Sequence, residues 1–176
     1  MGRQVVVAAY SGEPPAGLVE AARRLVEGLA GCEPRPAVLL GGYRGLMKVV
    51  ADSAVEAGLQ LAFVIPGEYE EDPYPRGSLV VRTGLGPRER SSVLVRSGDA
   101  LVVLGGGVGT LAEVLLACSY GVPVFYLRGY GLPSDRFAEC FAEGSIDPRV
   151  GRCIEYFDSV EELLEALCRR LGLRRG

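Results

Sequence analysis

Short apolar runs alternate along the chain with segments of helical period. Val5–Ala9, Ala37–Leu40, Leu61–Ile65 and Ala100–Leu104 are continuous apolar runs of a length typical of buried strands. Segments between them, such as Leu18–Leu29, carry apolar residues every three or four positions, which predicts amphipathic helices. Strands that are apolar throughout and separated by helices indicate an α/β fold with a mainly parallel sheet.

The rest of the chain continues this alternation, and its 176 residues predict one domain over residues 1–176. We expect a doubly wound sheet of about six or seven strands with helices on both faces. Further strands are predicted at Leu79–Arg82, Val122–Leu127 and Arg152–Tyr156, and further helices at Arg44–Ala57, Pro87–Ser97, Thr110–Tyr120, Asp135–Glu143 and from Asp158 or Ser159 to Leu171.

A glycine-rich turn follows the strand Ala100–Leu104. Its backbone can approach a ligand closely at four glycines, and the helix that opens next directs free N–H groups to the same place. Such a turn suits an anion such as phosphate. The carboxylate of Glu113 would lie beside it, about one helical turn further along the chain. The predicted ligand-binding residues here are Gly105, Gly106, Gly107, Gly109 and Thr110.

Two more glycine-bearing turns follow predicted strands, and parallel strands bring their carboxyl ends to one edge of the sheet, where ligands bind. The predicted ligand-binding residues in these turns are Ser11, Gly12, Gly41, Gly42 and Gly45. Neither the Walker pattern nor the dinucleotide fingerprint is present, since no lysine follows Gly109 and the first turn carries only Gly12. These absences disfavour ATPase and NAD-dependent activities.

Simpler structural explanations exist for the same residues. A glycine turn can serve only the geometry of a strand-to-helix connection. Thr110 and Glu113 have the spacing of a capping box, in which they would close the helix N-terminus on each other. Arg90 could be a solvated helix residue, and Ser11 could only cap a helix.

The composition restricts the chemistry further. The chain has no histidine, so carboxylates, tyrosines, arginines or water must move any proton, and no metal site is expected. A net charge of −3 and the lack of basic runs argue against a nucleic-acid polymer as partner. The apolar runs are too short for a signal peptide or a membrane span, so a cytoplasmic location is expected.

The cysteines and the amide content carry weaker information. Five widely spaced cysteines without a Cys-x-x-Cys pair suggest buried or incidental thiols, rather than a zinc site or a disulfide framework. Scarce amides and arginine-heavy charge suit either a thermophile or a GC-rich genome. The cysteines are Cys32, Cys118, Cys140, Cys153 and Cys168.

Two motifs carry a family resemblance. The segment Leu40–Ala54, followed by Phe63–Pro66, resembles the first signature of the LOG-like proteins, formerly labelled possible lysine decarboxylases. Arg90 together with Gly105–Glu113 resembles their second signature. The resemblance runs from the first strand to about Val124.

The resemblance implies a Rossmann-like fold, a homodimer and a small phosphorylated ligand at the strand ends. LOG enzymes hydrolyse the N-glycosidic bond of a nucleoside 5′-monophosphate and release the base and ribose 5-phosphate, so the resemblance implies this activity on a nucleotide-like phosphoester as the leading functional prediction. Their catalytic arginine and glutamate correspond here to Arg90 and Glu113. A carboxylate near the ribose can stabilise its developing positive charge or activate water, and an arginine can hold the phosphate or the carboxylate.

Several positions depart from the LOG pattern. Leu104 replaces a proline, Ser91 replaces a lysine and Lys48 replaces a glycine. Together with Pro73-Tyr74 and Thr83–Gly86, these departures resemble a second branch that includes the molybdenum cofactor carrier proteins. The alternative function is therefore a carrier or sensor that holds a phosphorylated ligand such as the molybdenum cofactor, a pterin, without turning it over.

Lysine decarboxylase activity is disfavoured. Pyridoxal phosphate chemistry requires a Schiff-base lysine, and Lys48 is the only lysine in the chain. No pyridoxal phosphate and no other required cofactor is expected.

Overall fold

The central sheet has seven strands, and all of them are parallel, in a computed structural model that describes residues 2–175. This confirms the predicted doubly wound α/β fold. From edge to edge the strands are β5 (Leu79–Arg82), β4 (Leu61–Ile65), β3 (Ala37–Leu40), β1 (Gln4–Ala9), β6 (Ala100–Leu104), β7 (Val124–Leu127) and β8 (Ile154–Phe157).

Six helices cover the sheet within the described residues, three on each face. One face carries α1 (Ala16–Ala30), α2 (Gly45–Glu56) and α6 (Val160–Leu171). The other face carries α3 (Pro87–Arg96), α4 (Val108–Tyr120) and α5 (Pro133–Cys140). Across residues 2–175, no helix combines the length and the apolar character that crossing a membrane requires.

Strand β1 lies at the centre of the sheet and is buried on both sides. Val5 and Val7 contact the helices of one face, while Val6 and Ala8 contact those of the other. The chain proceeds from β1 outward through β3, β4 and β5, then returns to the other side of β1 as β6. The order of strands therefore reverses between β1 and β6, which is where α/β proteins open a ligand crevice.

Most element boundaries lie within one or two residues of the predicted ones, with three informative differences. Helix α4 begins at Val108 rather than Thr110, because the chain turns helical directly after Gly107. Helix α5 begins at Pro133, since proline is well suited to the first helical position. Two strands of two residues each, β2 (Cys32–Glu33) and β9 (Arg174–Arg175), form an antiparallel pair that the pattern does not predict.

The prediction that the cysteines form no disulfide is wrong. Cys118 and Cys153 are bonded, with their Cα atoms 5.3 Å apart. Helix α4 starts at the carboxyl edge of the sheet and ends at the amino edge, where the segment before β8 also lies. The topology therefore brings together two residues that are 35 positions apart in the sequence. No spacing motif in the sequence marks them as a pair.

Gly45, the first residue of α2, and Gly58, just after its end, provide a matched test of backbone packing. Both have positive φ, +53° and +68°, so alanine at either position carries the cost of the left-handed region. A Cβ at Gly58 meets open space, whereas a Cβ at Gly45 would lie 2.5 Å from backbone atoms of Ser11 and Gly12. We expect Gly58→Ala to lower the free energy of unfolding by about 1 kcal/mol and Gly45→Ala by roughly 2–5 kcal/mol.

Urea denaturation of both variants measures the difference. Equal losses for the two would contradict the close packing of Gly45 on the first turn.

Candidate functional site

A cleft of about 360 Å³ lies at the carboxyl ends of β1, β3 and β6, where the strand order reverses. This volume falls in the range of small-molecule sites. Seven predicted site residues line the cleft: Ser11, Gly41, Arg90, Gly107, Gly109, Thr110 and Glu113. The other five predicted residues do not line it: Gly12, Gly42, Gly45, Gly105 and Gly106.

The glycines of the turn after β6 have two different functions. A Cβ at Gly105 would lie 2.5 Å from Leu132, and one at Gly106 would overlap the Thr110 hydroxyl, so these two glycines allow the turn to pack. Gly106 also has a φ of +153°. Gly107 has open space where a Cβ would be, and Gly109 has only the Arg88 guanidinium, at 3.6 Å. The last two glycines therefore leave room in the cleft.

The N-terminus of α4 directs unpaired backbone donors toward this open space. Gly107 is the N-cap residue, and its carbonyl accepts the first helical hydrogen bond, from the Leu111 N–H, at 3.0 Å. Among residues 2–175, the N–H groups of Val108, Gly109 and Thr110 find no acceptor. Three free donors and the positive end of the helix dipole make this terminus suitable for an anion.

Thr110 and Glu113 do not form the capping box that their spacing allows. No side chain caps α4, and the Thr110 hydroxyl donates instead to the Gly105 carbonyl at 3.5 Å. Glu113 turns away from the helix start and accepts hydrogen bonds from α3. Its carboxylate is therefore available to the cleft rather than used by the helix terminus.

Arg90, Ser91 and Glu113 form a buried polar cluster between α3 and α4. The Glu113 Oε1 accepts from the Ser91 hydroxyl at 3.0 Å and from the Arg90 Nη1 at 3.4 Å. The side chains of Arg90 and Glu113 are only 9% and 11% exposed, which excludes the solvated position considered for Arg90. Glu113 Oε2 makes no hydrogen bond within the described residues and is not fully enclosed, so a ligand can reach it.

Burial dominates the electrostatics of this pair. It raises the pKa of the Glu113 carboxyl above its ordinary value, an effect that the neighbouring Arg90 and Ser91 only partly oppose. Burial likewise lowers the pKa of the Arg90 guanidinium, with Glu113 acting in the opposite direction. The Arg90 Nε is buried and has no hydrogen-bond partner among residues 2–175. The charges of the pair are thus imperfectly compensated.

The turn after β3 supports the cluster. A Cβ at Gly41 would overlap the Arg90 Nη1, so the arginine lies directly on this glycine. Gly45 packs on the backbone of Ser11 and Gly12 instead of facing the cleft. Of this second glycine turn, only Gly41 lines the cleft, and its main effect is to make room for Arg90.

Sequence reasoning missed several cleft residues. Four of them carry no motif and lie just after β1 and β4 and at the start of α3: Tyr10, Glu68, Tyr69 and Arg88. Met47, in α2, and Val108, at the start of α4, lie within the two family motifs. Only their places just beyond strand ends could have indicated the first four. Tyr69 is held from outside the cleft by the Arg44 guanidinium, 4.4 Å from its ring, and Arg44 also pairs with Asp72.

Lys48, the only lysine, is not among the residues that line the cleft. Its side chain is about half exposed and donates to Asp52 at 2.6 Å.

The fold and the cleft together define a Rossmann-like protein with a crevice at its topological switch point. The model of the SLOG cluster4 family matches residues 4–164, and the chain belongs to that family. This confirms the resemblance to LOG-like proteins. Among curated proteins, an uncharacterized protein of Archaeoglobus fulgidus is 30% identical over 88 residues, which are 50% of this chain and 57% of that protein. The chain thus matches little more than half the length of this relative.

Solved structures share the fold over nearly the whole chain. The structure of TM1055, a structural genomics target, is 34% identical with a TM-score of 0.83 and covers 95% of this chain and 99% of its own. The molybdenum cofactor binding protein of Rippkaea orientalis is 22% identical, with a TM-score of 0.79 and coverages of 97% and 98%. The molybdenum cofactor carrier protein of Chlamydomonas reinhardtii is 24% identical, with a TM-score of 0.77 and coverages of 98% and 99%.

The raised pKa of Glu113 predicts a pH dependence of stability. The native protein holds a proton on this carboxyl at pH values where the unfolded chain has lost it. The contribution of this group to stability is therefore fully present below the ordinary pKa of glutamate and is lost as the pH rises through the raised value. We expect the melting temperature of the wild type, relative to Glu113→Gln, to fall as the pH rises above the ordinary pKa of glutamate, about 4.3.

Calorimetry of the two proteins at a series of pH values measures the effect. Glu165→Gln, at an exposed position on α6, is the control and should differ from the wild type by a nearly constant amount. A wild-type advantage that stays constant or grows with pH would contradict the assignment.

Proposed function

We propose that this protein binds a phosphorylated, ring-containing small molecule in the cleft and acts as a carrier of that molecule, with the molybdenum cofactor, a phosphorylated pterin, as the leading candidate. The observation that carries the proposal is the α4 N-terminus, where three free N–H groups, the side-chain-free positions Gly107 and Gly109 and the Arg88 guanidinium come together.

The phosphate would lie at this terminus. Backbone N–H groups can donate to phosphate oxygens, and charge-assisted hydrogen bonds of this kind are stronger than neutral ones. Arg88 is exposed and lies beside Gly109, so it can pair with a bound phosphate without first breaking another contact in the described residues. Arg90 has a different function, because Glu113 and Gly41 already hold it.

The ring of the ligand would occupy the other part of the cleft. Met47 and Tyr69 both approach Gly42, at 3.7 Å and 3.6 Å from its Cβ position, and give this wall apolar and aromatic surface. Glu68 and Glu113 add carboxylates. A pterin offers a flat ring to the aromatic surface and N–H donors to carboxylate oxygens, which suits this combination.

Two features favour a carrier over an enzyme. One oxygen of Glu113, Oε1, is already bonded to Arg90 and Ser91, which leaves Oε2 as the single oxygen of this carboxyl group that could act on a ligand. A carrier needs only the acceptor that Oε2 provides. The names of two proteins with the same fold, a molybdenum cofactor binding protein and a carrier protein, also support this choice.

A phosphoribohydrolase is the second candidate, and the Arg90–Glu113 pair at the cleft favours it. If the ligand is a nucleoside 5′-monophosphate, Glu113 Oε2 would stabilise positive charge on the ribose or activate water, and Arg90 would hold the carboxylate in place.

Removing the Arg88 guanidinium tests the phosphate subsite. We expect Arg88→Ala to weaken binding of AMP or of a phosphorylated pterin by roughly tenfold or more, since a hydrogen bond to a charged group contributes about 1.5–3 kcal/mol. Binding of the corresponding compound without phosphate should change little. Isothermal titration calorimetry measures both affinities.

The control is Arg96→Ala. Arg96 is on the same helix, but its guanidinium lies over the Tyr120 ring and outside the cleft. Equal losses for Arg88→Ala and Arg96→Ala would contradict this subsite.

Glu113→Gln separates the carrier from the hydrolase. For a carrier, we expect the affinity for the phosphorylated pterin to change less than threefold or so, because the amide oxygen can still accept a hydrogen bond. The protein should also release no free base when it is incubated with AMP. Chromatography of the reaction mixture and calorimetry provide the two readouts. Release of adenine and ribose 5-phosphate by the wild type, abolished in Glu113→Gln, would overturn the carrier and establish the hydrolase.

A further inference from the structure

Two buried thiols lie almost within bonding distance on the α1–α6 face of the sheet. The Sγ atoms of Cys32, in β2, and Cys168, in α6, are 3.0 Å apart, and the residues are separated by 136 positions. A covalent S–S bond is about 2.05 Å long, so an approach of about 1 Å would join them. Neither residue belongs to the disulfide already described.

The packing around the pair fixes this approach. Cys32 and Cys168 both belong to the hydrophobic core of that face. Gly28, in the last turns of α1, lies so close to Leu164 of α6 that a Cβ there would overlap the leucine, which brings the two helices together next to the thiols. The Cys32 thiol also lies 3.3 Å from the Gly28 carbonyl, the acceptor of its S–H when it is reduced.

From this juxtaposition we infer that Cys32 and Cys168 are a second disulfide site, which joins the end of α1 to α6. The reaction is thiol–disulfide exchange with a small-molecule disulfide. The Cys32 thiolate attacks one sulfur of the oxidant and releases one small thiol. The Cys168 thiolate then attacks the Cys32 sulfur of the mixed disulfide and releases the second small thiol. The two cysteines lose two hydrogens, and the oxidant is reduced to two thiols.

Cys32 lies in the β2–β9 ladder, where it pairs with Arg175. This ladder has only two residue pairs, so we expect its opening to give access to the buried thiols. Burial raises the pKa of Cys168 to about 12, so its thiol is protonated and unreactive while the ladder is closed. Exchange should therefore be slow in the native state and faster when the ladder opens.

The position of the cross-link separates it from ligand binding. Helix α1 begins at the carboxyl edge of the sheet, where the cleft lies, and ends at the amino edge, where Cys32 lies. Cys118 and Cys153 lie at the amino edge on the other face. The two cross-links would thus stabilise both helical layers at the edge opposite the cleft. Of the five cysteines, the exposed Cys140 would remain as the free thiol.

Thiol counting tests the inference. The purified wild-type protein is incubated with excess glutathione disulfide in a low concentration of urea, then fully denatured, alkylated with iodoacetamide and weighed by mass spectrometry. We expect a cross-linked peptide pair that contains Cys32 and Cys168, with neither of these residues alkylated, while the exposed Cys140 carries either glutathione or the alkyl group. Alkylated Cys32 and Cys168 would overturn the inference, as would a mixed disulfide with glutathione that persists on Cys32.

Stability and binding supply independent readouts in the double variant Cys118→Ser/Cys153→Ser. This variant lacks the first disulfide, so dithiothreitol can act only on the proposed bond between Cys32 and Cys168. We expect dithiothreitol to lower the melting temperature of this variant by roughly 5–15 °C and to leave its affinity for AMP unchanged. The same variant with Cys32→Ser added should not respond to dithiothreitol, and Cys140→Ser is the control for the free thiol. A melting temperature that is insensitive to dithiothreitol, in a variant that has first been oxidised, would contradict the bond.

Discussion

The buried contact between Arg90 and Glu113 holds the cleft together. Arg90 extends from α3 onto Gly41, just beyond β3, and pairs with Glu113 of α4, so one guanidinium connects three elements around the cleft. Both side chains are about nine-tenths buried. Truncating either side chain to alanine would leave its partner buried without a hydrogen-bonded counterpart, which in other proteins costs about 3–5 kcal/mol. The shape of the cleft therefore depends on this pair before any ligand binds.

The helix terminus and the Arg90–Glu113 pair offer different interactions to a ligand. At the N-terminus of α4, backbone N–H groups and Arg88 offer positive potential where glycines leave space. One helical turn further, Glu113 has one oxygen held by Arg90 and Ser91 and the other open to the cleft. A phosphate at the first position and a hydrogen-bond donor at the second would be recognised together by a single rigid helix. Such an arrangement serves binding without requiring chemistry.

The fold could be predicted from the sequence because the four apolar strand runs need no tertiary information. Continuous apolar residues from Ala100 to Leu104 fit only a strand buried on both faces, and the helical spacing between such runs implies the parallel sheet. The same holds for the turn after β6, where glycines, Thr110 and Glu113 occur together. These local patterns located one wall of the cleft.

What the sequence could not show depends on contacts between distant elements. Gly41 looks like a second phosphate loop, yet its close approach to Arg90 follows from how α3 crosses the end of β3. Thr110 and Glu113 have capping-box spacing, but the Glu113 carboxylate instead accepts a hydrogen bond from the Ser91 hydroxyl of the neighbouring helix α3. Arg88 carries no motif at all. The bond between Cys118 and Cys153 likewise depends on which strand edge α4 reaches.

An assigned ¹H–¹⁵N spectrum of the protein, titrated with AMP and with a phosphorylated pterin, shows which backbone amides contact the ligand. If a phosphate binds at the α4 terminus, the largest shift changes should occur at the amides of Gly107, Val108, Gly109 and Thr110, and inorganic phosphate at high concentration should move the same resonances. Changes concentrated elsewhere, with the resonances of these four amides unmoved by every phosphorylated compound, would show that phosphate does not bind at this terminus.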